Sequence, residues 1–311
     1  MSNVTSQFSL TGVKIFWFAF YAFLIISTVL GNVLVCVVIL KNRNLRTPSN
    51  YFLVNMSFSD MLICLFSIPM SMIFLSHHET WSFGEHLNIA ADSIWFGFTL
   101  LAFINITLIA CERYIAITRP YSYETIITKP RSVFCCCCAW LYMAVLIFGL
   151  VQFTFRTPKE TYTFLIPGYV YYIVLYSHVT IAFTVVPFLY YKIFLVAKIH
   201  KLKICRQTRW KRQKYFYLQM KAVRTIFLVT LLFVIVWLPF LVKQWFALDD
   251  IFDGNWSINN SITTSITYCN GAANFFVYYF RDAMIRQTLI KIFKCKNLVL
   301  SGSNRQACSE I

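Results

Sequence analysis

Seven long apolar stretches, set apart by short polar segments, constrain this 311-residue chain more than any single motif. They run over about 15–40, 50–75, 88–117, 132–155, 168–197, 222–248 and 261–280. A bilayer core takes roughly 20 mostly apolar residues per helix. Backbone polar groups in lipid must be satisfied within the protein, which a single spanning segment achieves only as a helix. Composition agrees: 59% of residues are hydrophobic, 18% aromatic and only 13% charged, where soluble domains run near half apolar and about a quarter charged. The expected fold is an all-α membrane protein, a seven-transmembrane helix bundle followed by a short amphipathic eighth helix. Pro69, Pro187 and Pro239 fall inside spans and are expected to kink rather than end them, because neighbouring helices resatisfy the freed carbonyls.

Most of the 28 Lys and Arg fall on one side of these spans. Lys41, Arg43 and Arg46 follow the first span, and Arg119, Lys129 and Arg131 follow the third. The stretch from Lys198 to Arg224 and the tail from Arg281 to Arg305 hold the densest clusters. By the positive-inside rule the amino terminus is expected outside and the carboxyl terminus in the cytoplasm. The net charge of +16 is then a topology signal. No aromatic-interleaved nucleic-acid motif accompanies it, so no nucleic-acid partner is expected. Expected units are an extracellular segment 1–14, the bundle 15–280, an amphipathic membrane-surface helix 281–295 and a cytoplasmic tail 296–311. Sequons at Asn3, Asn255 and Asn259 lie in the outer segments of this scheme and are expected to be glycosylated. Asn55 and Asn105 also match the sequon but fall inside spans, where the match reads as chance. The run from residue 15 is too long for a signal-peptide core and lacks a basic flank, so it is expected to act as the first span.

All 11 cysteines fall in spans or on the basic side, so no structural disulfide is expected in the oxidising space. Consecutive Cys135 to Cys138 point in different directions around a helix, which favours lipid-facing and packing roles over a metal site. Cys295 follows the amphipathic stretch and is either palmitoylated or a free thiol. In the first outer loop His77, His78 and His86 cluster with Glu79 and Glu85. They are either solvated loop residues or a proton- or zinc-sensing group. No catalytic triad, nucleotide loop or spaced ligand set is present, so no enzyme activity is expected.

Small motifs recur in order along the spans: Gly31-Asn32-Val33, Asp60, Trp81-Ser82-Phe83-Gly84, Glu112-Arg113-Tyr114, Trp140, Pro187, Phe233 with Trp237-Leu238-Pro239-Phe240, and Asn270 with Asn274-Phe275-Phe276-Val277-Tyr278. In this order they resemble the rhodopsin-like (class A) G-protein-coupled receptors over residues 15–295. The resemblance implies a plasma-membrane, multi-pass receptor that binds an extracellular ligand and activates heterotrimeric G proteins through outward movement of the sixth helix. Its coupling and switch residues would be Glu112, Arg113, Tyr114, Trp237, Pro239, Asn274 and Tyr278. Asp60, a mid-membrane carboxylate that needs solvation or partners, would hold sodium with Asn270 and Asn274. Read as residues alone, Asp60 with Asn32, Asn270 and Asn274 is equally a hydrogen-bonded packing node. Trp237, one turn from Phe233 and beside Pro239, is a bistable lever or ordinary aromatic core.

Carried over by position, the ligand pocket would include Asp92, Trp95, Phe96, Thr99, Val179, Thr180, Phe183, Trp237, Phe240, Leu241, Gln244, Thr264 and Tyr268. Trp95 stands where amine receptors carry an aspartate, which disfavours an ordinary monoamine. Tyr268 stands in the place of the opsin lysine, so no retinal is expected; apart from sodium at Asp60, no cofactor is expected. An aromatic pocket under an acidic rim (Glu79, Glu85, Glu160, Asp249, Asp250 and Asp253) suits a cationic amphiphile or basic peptide, unless the rim charges are simply solvated. Departures from the family pattern bear on signalling. Asn88 and a cysteine-free outer segment 156–167 replace the usual bridge, an absence shared with melanocortin-type receptors. Phe275 replaces the proline of the last motif and should straighten that helix. Leu195, Ala102 and Gln219 replace a tyrosine, a serine and an acid. Losing the acid removes a restraint on Arg113 and favours basal activity. A non-signalling scavenger or heteromer partner is the rival reading. A transporter or channel would show repeats, broken helices or charge-lined spans, which the sequence lacks.

Overall fold

The computed structural model describes residues 2–76, 85–156, 168–205, 210–246 and 258–281, with Arg286, Gln287 and Ile290 beyond them. Side chains at several helix ends within these ranges are outside the described set. Among the described residues there are seven long helices: α1 Ser2–Lys41, α2 Pro48–Ser76, α3 Glu85–Thr118, α4 Lys129–Arg156, α5 Gly168–Cys205, α6 Trp210–Phe246 and α7 Ile258–Arg281. The all-α bundle is therefore observed, while the expected amphipathic helix over 281–295 lies almost wholly outside the described residues. The first helix runs on from Ser2, well before residue 15, and no proline interrupts 2–14.

Local chemistry explains the helix boundaries. Asn42 caps a 3-10 turn over Arg43–Leu45 by accepting from Asn44 N (3.1 Å), and Thr47 caps α2 with Pro48 at its first position. Pro there is already suited to the helix start, because its missing N–H would find no partner. Inside α2 the chain widens into a π turn at Ile63–Ser67. Pro69 follows it. A proline ring crowds the carbonyl four residues back and offers no N–H, and the extra residue of a π turn relieves that conflict. The Ser71 hydroxyl takes up the Ser67 carbonyl at 3.1 Å. α5 and α6 run through Pro187 and Pro239 without ending.

α3 is the central helix, packing on α2, α4, α5 and α6. In its span 67% of residues are buried, against 17% in α4, which lies at the periphery on α2 and α3. The outer surface is apolar: Phe134, Phe148, Phe194 and Ile173 are exposed, as expected where lipid and not water surrounds the bundle. Among the described residues six helices are long and apolar enough to cross a membrane by length and hydropathy. α7 is of spanning length but more polar, and its polarity is turned inward. Ser265, Thr267, Asn270 and Asn274 are buried while Ile262, Phe276 and Phe280 are exposed. This inverted amphipathicity satisfies the seventh helix by packing it against α1 and α6.

Candidate functional site

Three layers of polar and aromatic contacts run down the bundle interior. The first lies at the basic end of α3. Arg113 Nε is 2.6 Å from Glu112 Oε2, although its N–H is not aimed at that oxygen, so the contact is an ion pair without an aligned hydrogen bond. Both groups are buried, Glu112 at 2% and Arg113 at 8% exposure. The arginine thus turns into the bundle and does not reach outward to water. Glu112 is itself held from two sides. Ser49 Oγ donates to Oε2 at 3.2 Å, and the Tyr123 hydroxyl donates to Oε1 at 2.5 Å. Tyr123 opens a single helical turn, Tyr123–Ile126, whose end is fixed by Arg131 Nη1 donating to the carbonyls of Thr125 (2.7 Å) and Ile126 (3.0 Å). Hydrogen bonds to an ionised carboxylate are the stronger kind. Ser49 and Tyr123 are not legible as site residues, because nothing local in their sequence signals that Glu112 is their partner. Tyr114 is half-buried against the main core, and Tyr190 pairs with Thr230 across α5 and α6 at 3.3 Å. Leu195 is exposed.

The second layer is centred on Asp60. Asn274 Nδ2 donates to its Oδ2 at 2.8 Å. Asn32 binds elsewhere, donating to the carbonyls of Thr28 (2.9 Å) and Gly271 (3.1 Å). Gly271 permits that approach: a Cβ there would lie 2.6 Å from Thr28 Cγ2 and 3.2 Å from Asp60 Cβ. Several buried oxygens in this layer accept no hydrogen bond, namely Asn32 Oδ1, Asn270 Oδ1, Asn274 Oδ1 and Thr28 Oγ1. Buried acceptors with no partner are costly in isolation, and a set of hard oxygens beside a carboxylate fits a small cation or water. Below it, the buried Tyr278 hydroxyl rests on Met56 Sδ at 3.7 Å.

A separate hydrogen-bonded chain ties α2, α3 and α4 together. Trp140 Nε1 donates to Asn55 Oδ1 (2.7 Å), Asn55 Nδ2 to Asn105 Oδ1 (2.7 Å), and Asn105 Nδ2 to Ser59 Oγ (3.0 Å). The two buried sequon matches are thus structural asparagines.

The third layer is aromatic. Phe103 meets Phe233 and Trp237 at ring separations of 5.1 Å each, and Trp237 meets Phe240 at 5.9 Å. Trp95 lies edge-on to Phe240 at 5.5 Å. Among the described residues, a cavity connects this layer to the one below, lined by Trp95, Thr99 and Trp237 above and by Asp60, Cys64, Thr267, Tyr268 and Asn270 beneath. About 10 Å³ of it is open to the centre of a water molecule, which is room for about one water. Tyr268 also bonds Ser71 at 3.0 Å, and Tyr21 bonds Ser265 at 2.6 Å. Of the pocket residues read from sequence, Trp95, Thr99, Trp237 and Tyr268 share this cavity, and Phe240 closes against Trp95. Phe183 is half-buried, with its ring 6.5 Å from that of Phe103. Phe96 is fully buried in the packing core, and Asp92 and Thr180 are exposed. The backbones of Asn3, Asn88, Gln219, Gln244 and Asn259 are helical, as is that of His86, which α3 takes up from the expected loop, but their side chains lie outside the described set, as do Asn255, Cys295, segment 157–167, His77 and His78. Among the described residues no group of three His, Cys, Asp or Glu is arranged to hold a metal.

Comparison with known proteins places this arrangement in context. The family model described as 7 transmembrane receptor (rhodopsin family) matches residues 31–278. The chain is 26% identical to the histamine H2 receptor of Canis lupus familiaris, covering 88% of this chain and 78% of that protein. It is 26% identical to octopamine receptor beta-1R of Drosophila melanogaster, over 93% of this chain and 64% of the relative. It is likewise 26% identical to melanopsin-A of Danio rerio, over 90% and 50% respectively.

Proposed function

The chain belongs to the rhodopsin family of seven-transmembrane receptors, and we propose that it binds an extracellular ligand and activates heterotrimeric G proteins by outward movement of α6 from around Arg113. It is a multi-pass membrane protein and a receptor, not an enzyme. The observation that carries the mechanism is the closed arrangement at the end of α3. A buried arginine is paired to a carboxylate that two hydroxyls hold in place. Such a cluster is a two-state element: opening it frees Arg113 to meet a partner surface, and the energy difference between states is set by a few hydrogen bonds. Trp237 and Pro239 in α6 transmit the change, and Asn274 and Tyr278 in α7 complete it. The amino terminus lies outside and the carboxyl terminus in the cytoplasm of the plasma membrane, with Asn3, Asn255 and Asn259 glycosylated.

The ligand we favour is a cationic amphiphile or basic peptide. Asp92 is exposed one turn above Trp95, and Trp95 with Phe240 forms the aromatic floor beneath it. A cation can pair with the carboxylate and lie over the indole face. Histamine and octopamine give their names to two relatives, yet Trp95 in place of an acid removes the charge partner a small monoamine would use. α7 contains no lysine, so a retinal Schiff base has no attachment point. Asp60, Asn270 and Asn274 would hold sodium; the unpartnered oxygens beside them support this, and the methyl of Ala102 supplies no further donor. Bound there, the cation would supply positive charge that balances a buried carboxylate and favours the closed state.

Nucleotide exchange on purified G protein tests the proposal. Ligand-stimulated or basal exchange by the wild-type chain, lost in a surface-expressed Arg113→Ala variant, is the expected result. Exchange unchanged by Arg113→Ala would remove the mechanism. Its absence in wild type under all ligands screened would favour the non-signalling scavenger or heteromer partner.

A further inference from the structure

Helix α4 carries four consecutive cysteines, and the structure divides them sharply. Cys136 is buried, while Cys135, Cys137 and Cys138 are exposed with free thiols. The exposed side of α4 near them is apolar, with Val133, Phe134 at 69% exposure and Leu141 all uncovered. α4 packs mainly on α2 and α3 and meets α5 further along, where Tyr142 bonds His178 at 3.0 Å, so among the described residues no other helix covers these sulfurs. Their distance from the last charge is also defined. Arg131 is exposed, its guanidinium is tied to the carbonyls of Thr125 and Ile126, and no charged residue follows it in α4 until Arg156. Cys135 lies four residues further along the helix, about 6 Å from Arg131, and Cys138 about 10 Å from it, at 1.5 Å per residue. Cys135 and Cys138 are three residues apart and therefore share one face.

We propose that Cys135 is an S-acylation site that takes a long-chain fatty acyl group from acyl-coenzyme A through a membrane acyltransferase, with Cys138 as a second acceptor on the same face. Shallow, uncovered thiols beside a basic juxtamembrane segment are the setting in which reversible acylation occurs. In the transfer, the cysteine sulfur forms a bond to the acyl carbonyl carbon and the bond from that carbon to the coenzyme A sulfur breaks. The thiol proton passes to the departing coenzyme A thiolate, so the step is redox-neutral. The attached chain would lie along the uncovered apolar side of α4, over Phe134 and Leu141. The inference rests on the orientation proposed above, with the basic loops in the cytoplasm where acyl-coenzyme A is available.

Metabolic labelling of cells with an alkyne fatty acid tests it, using full-length chain whose Cys205, Cys295 and Cys308 are replaced by serine. Hydroxylamine-sensitive label is expected to persist in this background. Cys135→Ser should remove most of it, Cys135→Ser with Cys137→Ser and Cys138→Ser should remove all of it, and Cys136→Ser should leave it unchanged. An amino-terminal epitope read on intact cells reports orientation and surface delivery in every variant. Label absent with the epitope accessible overturns the acylation alone. Label absent with the amino-terminal epitope inaccessible and a carboxyl-terminal epitope accessible on intact cells overturns the orientation as well. Label retained after all three exposed cysteines are replaced also overturns the proposal.

Discussion

Phe275 packs its side chain directly over the bare α-carbon of Gly31. A Cβ on Gly31 would lie only 2.8 Å from Phe275 Cβ and closer still to the ring. Where relatives in this family carry a proline in α7, this chain places a large aromatic ring, and α7 continues through it as regular helix. The space for that ring comes from α1, so the two residues form one packing unit.

Gly31→Leu is therefore expected to destabilise the bundle, by about 1–3 kcal/mol, a typical cost of overpacking a filled site. Thermal unfolding in detergent should show a lower midpoint, and Phe275→Ala in the same chain should restore much of the loss. Independent, additive effects of the two substitutions would show that the contact carries no coupling.

Tyr123→Phe removes the hydroxyl that holds Glu112 while leaving the ring. The closed state loses a hydrogen bond to a carboxylate, and even about 1 kcal/mol shifts a two-state population roughly fivefold. Basal nucleotide exchange should rise, with the Ser49→Ala variant moving in the same direction. A lower basal rate in both variants would reverse the assigned role of Glu112.

Gln219→Glu should act the opposite way, because the family resemblance implies that an acid at that place in α6 pairs with Arg113. A shift of about 1 kcal/mol in the two-state balance would lower basal exchange roughly fivefold. The measurement is membrane exchange without ligand; an unchanged rate would mean that residue 219 does not face Arg113.

Trp140→Phe keeps an aromatic ring but leaves Asn55 Oδ1 without its indole donor. An unsatisfied buried acceptor costs about 1–3 kcal/mol. Reduced surface expression and a lower unfolding midpoint are expected, with little change in the exchange rate per molecule at the surface. A selective loss of exchange at normal stability would instead place the α2–α3–α4 chain in the switch.

Peptide mapping under non-reducing conditions should find no disulfide between α3 and segment 156–167, since neither Asn88 nor that segment supplies a cysteine. The described cysteines, Cys36, Cys64, Cys111, Cys135 to Cys138 and Cys269, are all free.

What the sequence determined by itself was the fold and its family. Transfer of apolar side chains into lipid is summed residue by residue within one segment, so spans such as those of α1 and α3 are visible without knowing what they touch. The ordered short motifs added the receptor class. Tertiary structure alone decided how the interior is wired. Glu112 meets Ser49, Asn55 meets Trp140, and Gly31 meets Phe275 only because distant helices pack in one register, and Glu112 meets Tyr123 only because the segment after α3 folds back on it. Even the polarity of α7, which weakens its signal as a span, makes sense only once Ser265, Asn270 and Asn274 are seen to face inward. Hydropathy is a local sum, whereas a hydrogen bond or a ring against a glycine is a property of two chain positions at once.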